Sequence, residues 1–112
     1  MAIGYDYKRS SSRKSLQTRV LISSERLGQI EAKATDLSTT GLCVYSDNKL
    51  QVQQIYRLAI EMQIRGRIRM INALAEVVVC SYSRTGCFKV GMRFLEVDGG
   101  GESAMAEYLE NW

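Results

Sequence analysis

Apolar and polar residues alternate with period two along most of the chain. Val20 and Ile22 face away from Arg19, Leu21 and Ser23; Ile30, Ala32 and Ala34 oppose Glu31, Lys33 and Thr35; Leu42 and Val44 oppose Cys43 and Tyr45. The longest run sets Tyr56, Leu58, Ile60, Met62 and Ile64 against Arg57, Ala59, Glu61 and Gln63. Successive side chains of a strand point to opposite faces, so each run predicts a half-buried strand of an antiparallel sheet. Two further strands are expected over Ala75–Cys80 and Cys87–Phe94, the latter with Phe88, Val90, Met92 and Phe94 on one face.

Turn chemistry falls where the alternation breaks. Arg65-Gly66 separates Ile64 from Ile68, and Ser83-Arg84-Thr85-Gly86 separates Tyr82 from Cys87; each contains a glycine able to take positive φ, and each predicts a hairpin. Short strands at regular spacing with glycine turns argue for a small antiparallel barrel, since closure removes exposed edges. Gly99-Gly100-Gly101 ends the β region. Ser103 is placed to cap a final helix whose Met105, Tyr108, Leu109 and Trp112 recur at helical spacing, the pattern of a lid docked on a barrel.

Composition narrows the chemistry. The 112 residues allow a single hydrophobic core, and 46% hydrophobic against 24% charged residues is the balance of a folded domain. There is no histidine, which removes the imidazole that Ser-His-Asp and Cys-His catalysis need and every His-containing zinc site. A GxSxG elbow is absent, and the acidic residues mostly alternate onto strand faces instead of pairing as in a two-carboxylate hydrolase, so no enzyme is expected. Cys43, Cys80 and Cys87 form neither a CxxC pair nor an even set; they read as buried small side chains in a reducing cytosol, without metal. No stretch of about 18 apolar residues occurs, so neither a signal sequence nor membrane insertion is predicted and the expected location is the cytoplasm.

Charge is unevenly spread. The formal net charge is +3, yet residues 1–28 carry six basic and two acidic groups while residues 29–112 carry nine basic and ten acidic ones. The surplus sits in Lys8-Arg9-Ser-Ser-Ser-Arg13-Lys14, a run with nothing apolar to pack, which reads as an exposed, flexible arm over residues 1–14. The other unusual stretch is Asp36-Leu37-Ser38-Thr39-Thr40-Gly41. As an ordinary turn, its carboxylate and hydroxyl cap backbone N–H groups and Gly41 supplies an unusual φ/ψ. The same residues would also present a carboxylate and a hydroxyl on an exposed corner, suited to the N1–H and N2–H₂ donors of a guanine. With the basic arm, they outline an anionic ligand carrying guanine.

These two stretches resemble the motifs of the bacterial PilZ domain, RxxxR and (D/N)xSxxG, present here as Arg9-Ser-Ser-Ser-Arg13 and Asp36-Leu-Ser38-Thr-Thr-Gly41. Val90-Gly91-Met92-Arg93-Phe94 is similar to the family's last barrel strand. The resemblance implies a mainly β fold, a six-stranded antiparallel PilZ-type barrel over residues 15–97 with a C-terminal helix over 102–112. It also implies the ligand, cyclic di-GMP, with no further cofactor. Arg9 and Arg13 would fork onto phosphate oxygens and the Hoogsteen edge of guanine and stack on its face, a combination a lysine lacks. Asp36 and Ser38 would hold the other side of the base, Gly41 would keep the backbone close, and Lys8 is an additional candidate contact. Arg19, on the polar face of the first strand, is read as a solvated side chain, and Gly91 as a barrel-packing glycine.

A receptor of one domain has no output module of its own, so an effector protein is the expected partner, in motility, exopolysaccharide synthesis or attachment. Two other readings use the same residues. One is a PilZ-fold adaptor that binds only protein; the other is a small barrel that binds single-stranded nucleic acid through its arm. Against the latter, the body is net acidic and shows no paired exposed aromatic residues for stacking bases, so no polymeric nucleic acid is expected.

Overall fold

The computed structural model describes residues 14–84, 86–98 and 101, with residues 14–17 described by their backbone alone. The arm with Lys8, Arg9 and Arg13, and the helix expected over 102–112, lie outside the described residues.

Six strands follow one another: β1 (Lys14–Ser24), β2 (Gly28–Leu37), β3 (Gly41–Ser46), β4 (Ile55–Ile64), β5 (Arg67–Arg84) and β6 (Cys87–Val97). All neighbours are antiparallel, and the order β1-β2-β3-β6-β5-β4 closes into a barrel because β1 also pairs with β4, Val20 opposite Ile60 and Ile22 opposite Leu58. The Thr18 hydroxyl donates to the Glu61 carbonyl along the same seam. The expected six-stranded antiparallel barrel is therefore the observed fold. Its fifth strand is longer than Ala75–Cys80 suggested, running without interruption from Arg67 to Arg84.

The inward faces are those the alternation predicts. Val20, Ile22, Ala34, Leu42, Val44, Ile60, Met62, Val77, Val90 and Met92 have no exposed surface and form one cluster inside the ring. Burying a side chain of this size contributes about 1.5–3 kcal/mol relative to leaving it in water, so the interior is the main source of stability. Leu50, from the segment between β3 and β4, joins this core. That segment is tied to the barrel by backbone bonds, Gln53 N–H to the Val77 carbonyl and Val77 N–H to the Gln54 carbonyl.

The hairpin turns use left-handed residues where the sequence places glycine: Gly66 has φ 77° beside Arg65 at 52°, and Gly86 has φ 72°. At the far end of β6 the Asp98 N–H bonds the Asn72 carbonyl. A Cβ on Gly101 would stand 2.9 Å from a Val97 methyl and 3.1 Å from an Ile71 methyl, so Gly101 itself lies against these two residues with no room for a side chain. Cys43 is buried as expected, but Cys80 and Cys87 are only half-buried, because both lie toward the β5–β6 hairpin, where the ring thins to two strands.

Candidate functional site

The Asp36-Gly41 stretch forms the corner between β2 and β3. Strict alternation would send Asp36 inward, in phase with Ile30, Ala32 and Ala34. Instead Ala34 opposes Val44 and Asp36 opposes Cys43, so Thr35 is an extra residue on β2. The opposite neighbour adjusts at the same place, with the β1–β2 register shifting between Ser15 and Thr18. A bulge of this kind reverses the phase of everything after it. Leu37 consequently enters the core with no exposed surface, and Asp36 is turned outward and half-buried. The position of this carboxylate is thus a product of the bulge.

Ser38 starts the turn and is used up in holding it. Its N–H donates to the Gly41 carbonyl at 2.9 Å, its hydroxyl accepts the Thr40 N–H at 3.2 Å, and the Ser38 and Thr40 hydroxyls are 3.0 Å apart. The Thr40 carbonyl accepts the Phe94 N–H, fixing the turn to β6. The expectation that Ser38 offers its hydroxyl on an exposed corner therefore needs correction: the residue is 3% exposed and its oxygen is engaged within the turn. Gly41 is corrected in part. It is absent from the positive-φ positions, so it supplies no left-handed bend; its carbonyl instead closes the turn.

Beyond Asp36 the outer surface is made of small residues. Asp36 faces Cys43, Cys43 faces Gly91, and Gly91 faces Val79, across β2, β3, β6 and β5. Gly41 lies opposite Arg93, and Arg93 donates to the Glu76 carboxylate. On the other side of the row Lys33, Tyr45, Lys89 and Ser81 stand in line. A low floor of Cys43 and Gly91 is thus bounded by Tyr45 and Lys89 on one side and by Arg93 on the other. Gly91 packs as expected, being buried, but it does so on the outer face of the barrel. The sequence reading missed the floor and its cations as site residues; their signal was the outward phase of Cys43 and Tyr45, visible in the alternation.

The topology also brings the start of β1 to this corner. Ser15 is opposite Asp36 and Lys14 opposite Leu37, so Arg13 is joined in the chain to the residue next to Asp36's own partner. At about 3.3–3.6 Å per extended residue, Arg9 is tethered within roughly 18 Å of Lys14. Arg19, by contrast, is held away from the corner between two carboxylates, 3.8 Å from Glu31 and 3.6 Å from Glu61. Its side chain is half-exposed, as expected of a solvated strand residue.

The chain belongs to the PilZ family: the model of the PilZ domain matches residues 7–111, nearly its whole length. Several solved structures share its fold. The Bacillus subtilis inhibitor of motility, MotI/DgrA, is 22% identical with a TM-score of 0.77, over 88% of this chain and 48% of that one. This chain thus spans about half of that protein. The PilZ domain of YcgR from Escherichia coli, solved with c-di-GMP, is 15% identical with a TM-score of 0.65, covering 88% of this chain and 86% of that one. The PilZ domain of CeSA from a cellulose-synthesizing bacterium is 12% identical with a TM-score of 0.58, covering 88% and 95%. A search of the curated proteins gave no match. PilZ domains are receptor and adaptor modules, not enzymes. Among the described residues no helix is long and apolar enough to cross a membrane.

Proposed function

We propose that this chain is a cyclic di-GMP receptor that regulates a partner protein in the cytoplasm, in motility, exopolysaccharide synthesis or attachment. The observation that carries the reading is the juxtaposition at the β2–β3 corner: the bulge at Thr35 turns Asp36 outward, and the strand that opposes Asp36 is the one the arm leads into. In this reading the two PilZ motifs, separated in sequence, meet at one place.

Asp36 then accepts the N1–H and N2–H₂ donors of one guanine, whose flat face lies over the low floor of Cys43 and Gly91. Arg9 and Arg13 take phosphate oxygens and the Hoogsteen edge. Ser38 and Gly41 hold the turn that sets the Asp36 carboxylate, a positioning role with the backbone as the contact surface. Lys8 adds positive charge. Each contact to the ligand offsets entropy lost in ordering the arm, so ligand and arm conformation are linked, and the linkage is the signal a partner reads.

Calorimetric titration of cyclic di-GMP into the wild type and Arg9→Ala, Arg13→Ala and Asp36→Ala tests the site. Wild type is expected to bind, and each variant to lose ~1.5–3 kcal/mol, the scale of a hydrogen bond to a charged group. Unchanged binding by Arg13→Ala overturns the site. No wild-type binding leaves the protein-only adaptor, and steeply salt-dependent binding of an oligonucleotide without guanine preference supports a polymer binder instead.

A further inference from the structure

The β4–β5 hairpin runs past the end of the ring. Ile64 pairs with Arg67, Gln63 with Ile68, Met62 with Arg69 and Glu61 with Met70, but β6 joins β5 only from Ala73 onward, with Asp98 reaching Asn72. Among the described residues no strand lies beside residues 67–70 on that side, and all four are exposed. Their two faces differ in chemistry. Ile68 and Met70, 62% and 46% exposed, share the outer face with Gln63 and Glu61, whereas Arg67 and Arg69 lie on the face of Ile64 and Met62.

We infer that residues 67–70 of β5 are a docking edge for an extended, acidic segment of a partner protein, which adds as a strand with acidic residues beside Arg67 and Arg69 and aliphatic ones beside Ile68 and Met70. The charge complementarity is specific to an edge-on partner. A flat surface such as a membrane meets one face of a ribbon and sees either the arginines or the apolar pair; an added strand alternates its own side chains and meets both. A second copy is disfavoured, since antiparallel pairing along this edge sets arginine against arginine. The edge is separate from the Asp36 corner; the inference rests on the proposed function only in taking the chain to act through a protein.

The test uses the full chain, ¹⁵N-labelled, titrated with the probe peptide acetyl-EVEVEV-amide, its lysine counterpart acetyl-KVKVKV-amide, and acetyl-EVEPEV-amide, whose proline breaks strand addition. The acidic probe is expected to shift and protect the amides of residues 67–70, and to bind at least roughly tenfold more tightly than either control. The double variant R67E/R69E should lose at least roughly tenfold in affinity for it, and I68S/M70S should weaken it with the charge intact. Equal response to the lysine probe, shifts confined to other strands, a dimer in sedimentation that R67E/R69E dissolves, or capture by phosphatidylglycerol vesicles in preference to the peptide would each overturn the proposal. Cyclic di-GMP titrated into the same sample separates the two ideas. Its binding without peptide binding defeats the edge alone, and peptide binding without it defeats only the receptor reading.

Discussion

The β2–β3 corner and the β4–β5 hairpin are built from the same kind of strand and differ in regularity. Between β4 and β5, ten consecutive residue pairs run from Ile55 opposite Glu76 to Ile64 opposite Arg67 without a shift, and the turn is a left-handed Arg65-Gly66. Between β2 and β3 the ladder breaks after Ala34, and the turn is held by the Ser38 side chain with no left-handed residue. The regular ladder leaves every side chain where period two puts it. The broken ladder moves a carboxylate from the inside phase to the outside and follows it with an internally bonded turn. The irregularity at Thr35 coincides with the candidate chemistry, as expected where function competes with ideal geometry, although the β5–β6 ladder also shifts register at three places.

Leu37→Asp attacks that contrast most directly. With Thr35 as the extra residue, position 37 points into the core, so the substitution buries an unpaired carboxylate where Asp36 keeps its own outside, and it is expected to cost at least ~4 kcal/mol in denaturant unfolding. A substitution with little effect would mean that the bulge does not set the phase.

Next come Leu37→Ala and Ile60→Ala, one from each region and both at fully buried positions. Both should lose ~2–5 kcal/mol of stability, with the residual cavity deciding the value. They should differ in binding: affinity for cyclic di-GMP per folded molecule falls in Leu37→Ala, beside Asp36, and stays unchanged in Ile60→Ala. Equal effects on affinity would erase the distinction between the two regions.

Ser38→Ala and Gly66→Ala compare the two turns. Removing the Ser38 hydroxyl leaves the Thr40 N–H without its acceptor, and should cost ~1 kcal/mol in thermal unfolding together with a measurable loss of ligand affinity. Gly66 at φ 77° has open space where a methyl group would stand, so Gly66→Ala carries only the backbone penalty, ~1 kcal/mol, with affinity unchanged. The smallest effect belongs to Arg19→Ala. Its exposed pairs with Glu31 and Glu61 are worth less than ~1 kcal/mol, and neither stability nor affinity should move beyond that. A loss equal to that of Arg13→Ala would place the arm against the wrong strand.

Much of the barrel was legible in the residues. The inward faces of β1, β3, β4 and β6 follow from period two, and the hairpin at Arg65-Gly66 follows from turn chemistry. Asp36 was legible as a corner carboxylate from its motif, although period two alone sends it inside. The full length of β5 was hidden because Arg67, Ile68, Arg69 and Met70 are exposed on both faces, so nothing in their polarity marks a buried side. The burial of Ser38 was hidden for a different reason. A serine in a turn serves equally well as an outward donor or an inward cap, and the choice depends on the Thr40 and Gly41 backbone that meets it.

By itself the sequence determined the strand faces, the absence of imidazole chemistry and the presence of both PilZ motifs, since these depend on residue type and on neighbours a few positions away. The tertiary structure decided the strand order, the bulge at Thr35 and the meeting of β1 with Asp36. Closing a ring requires six ladders to hold their registers at once, and an extra residue in one strand is placed by that joint constraint, which no single segment contains.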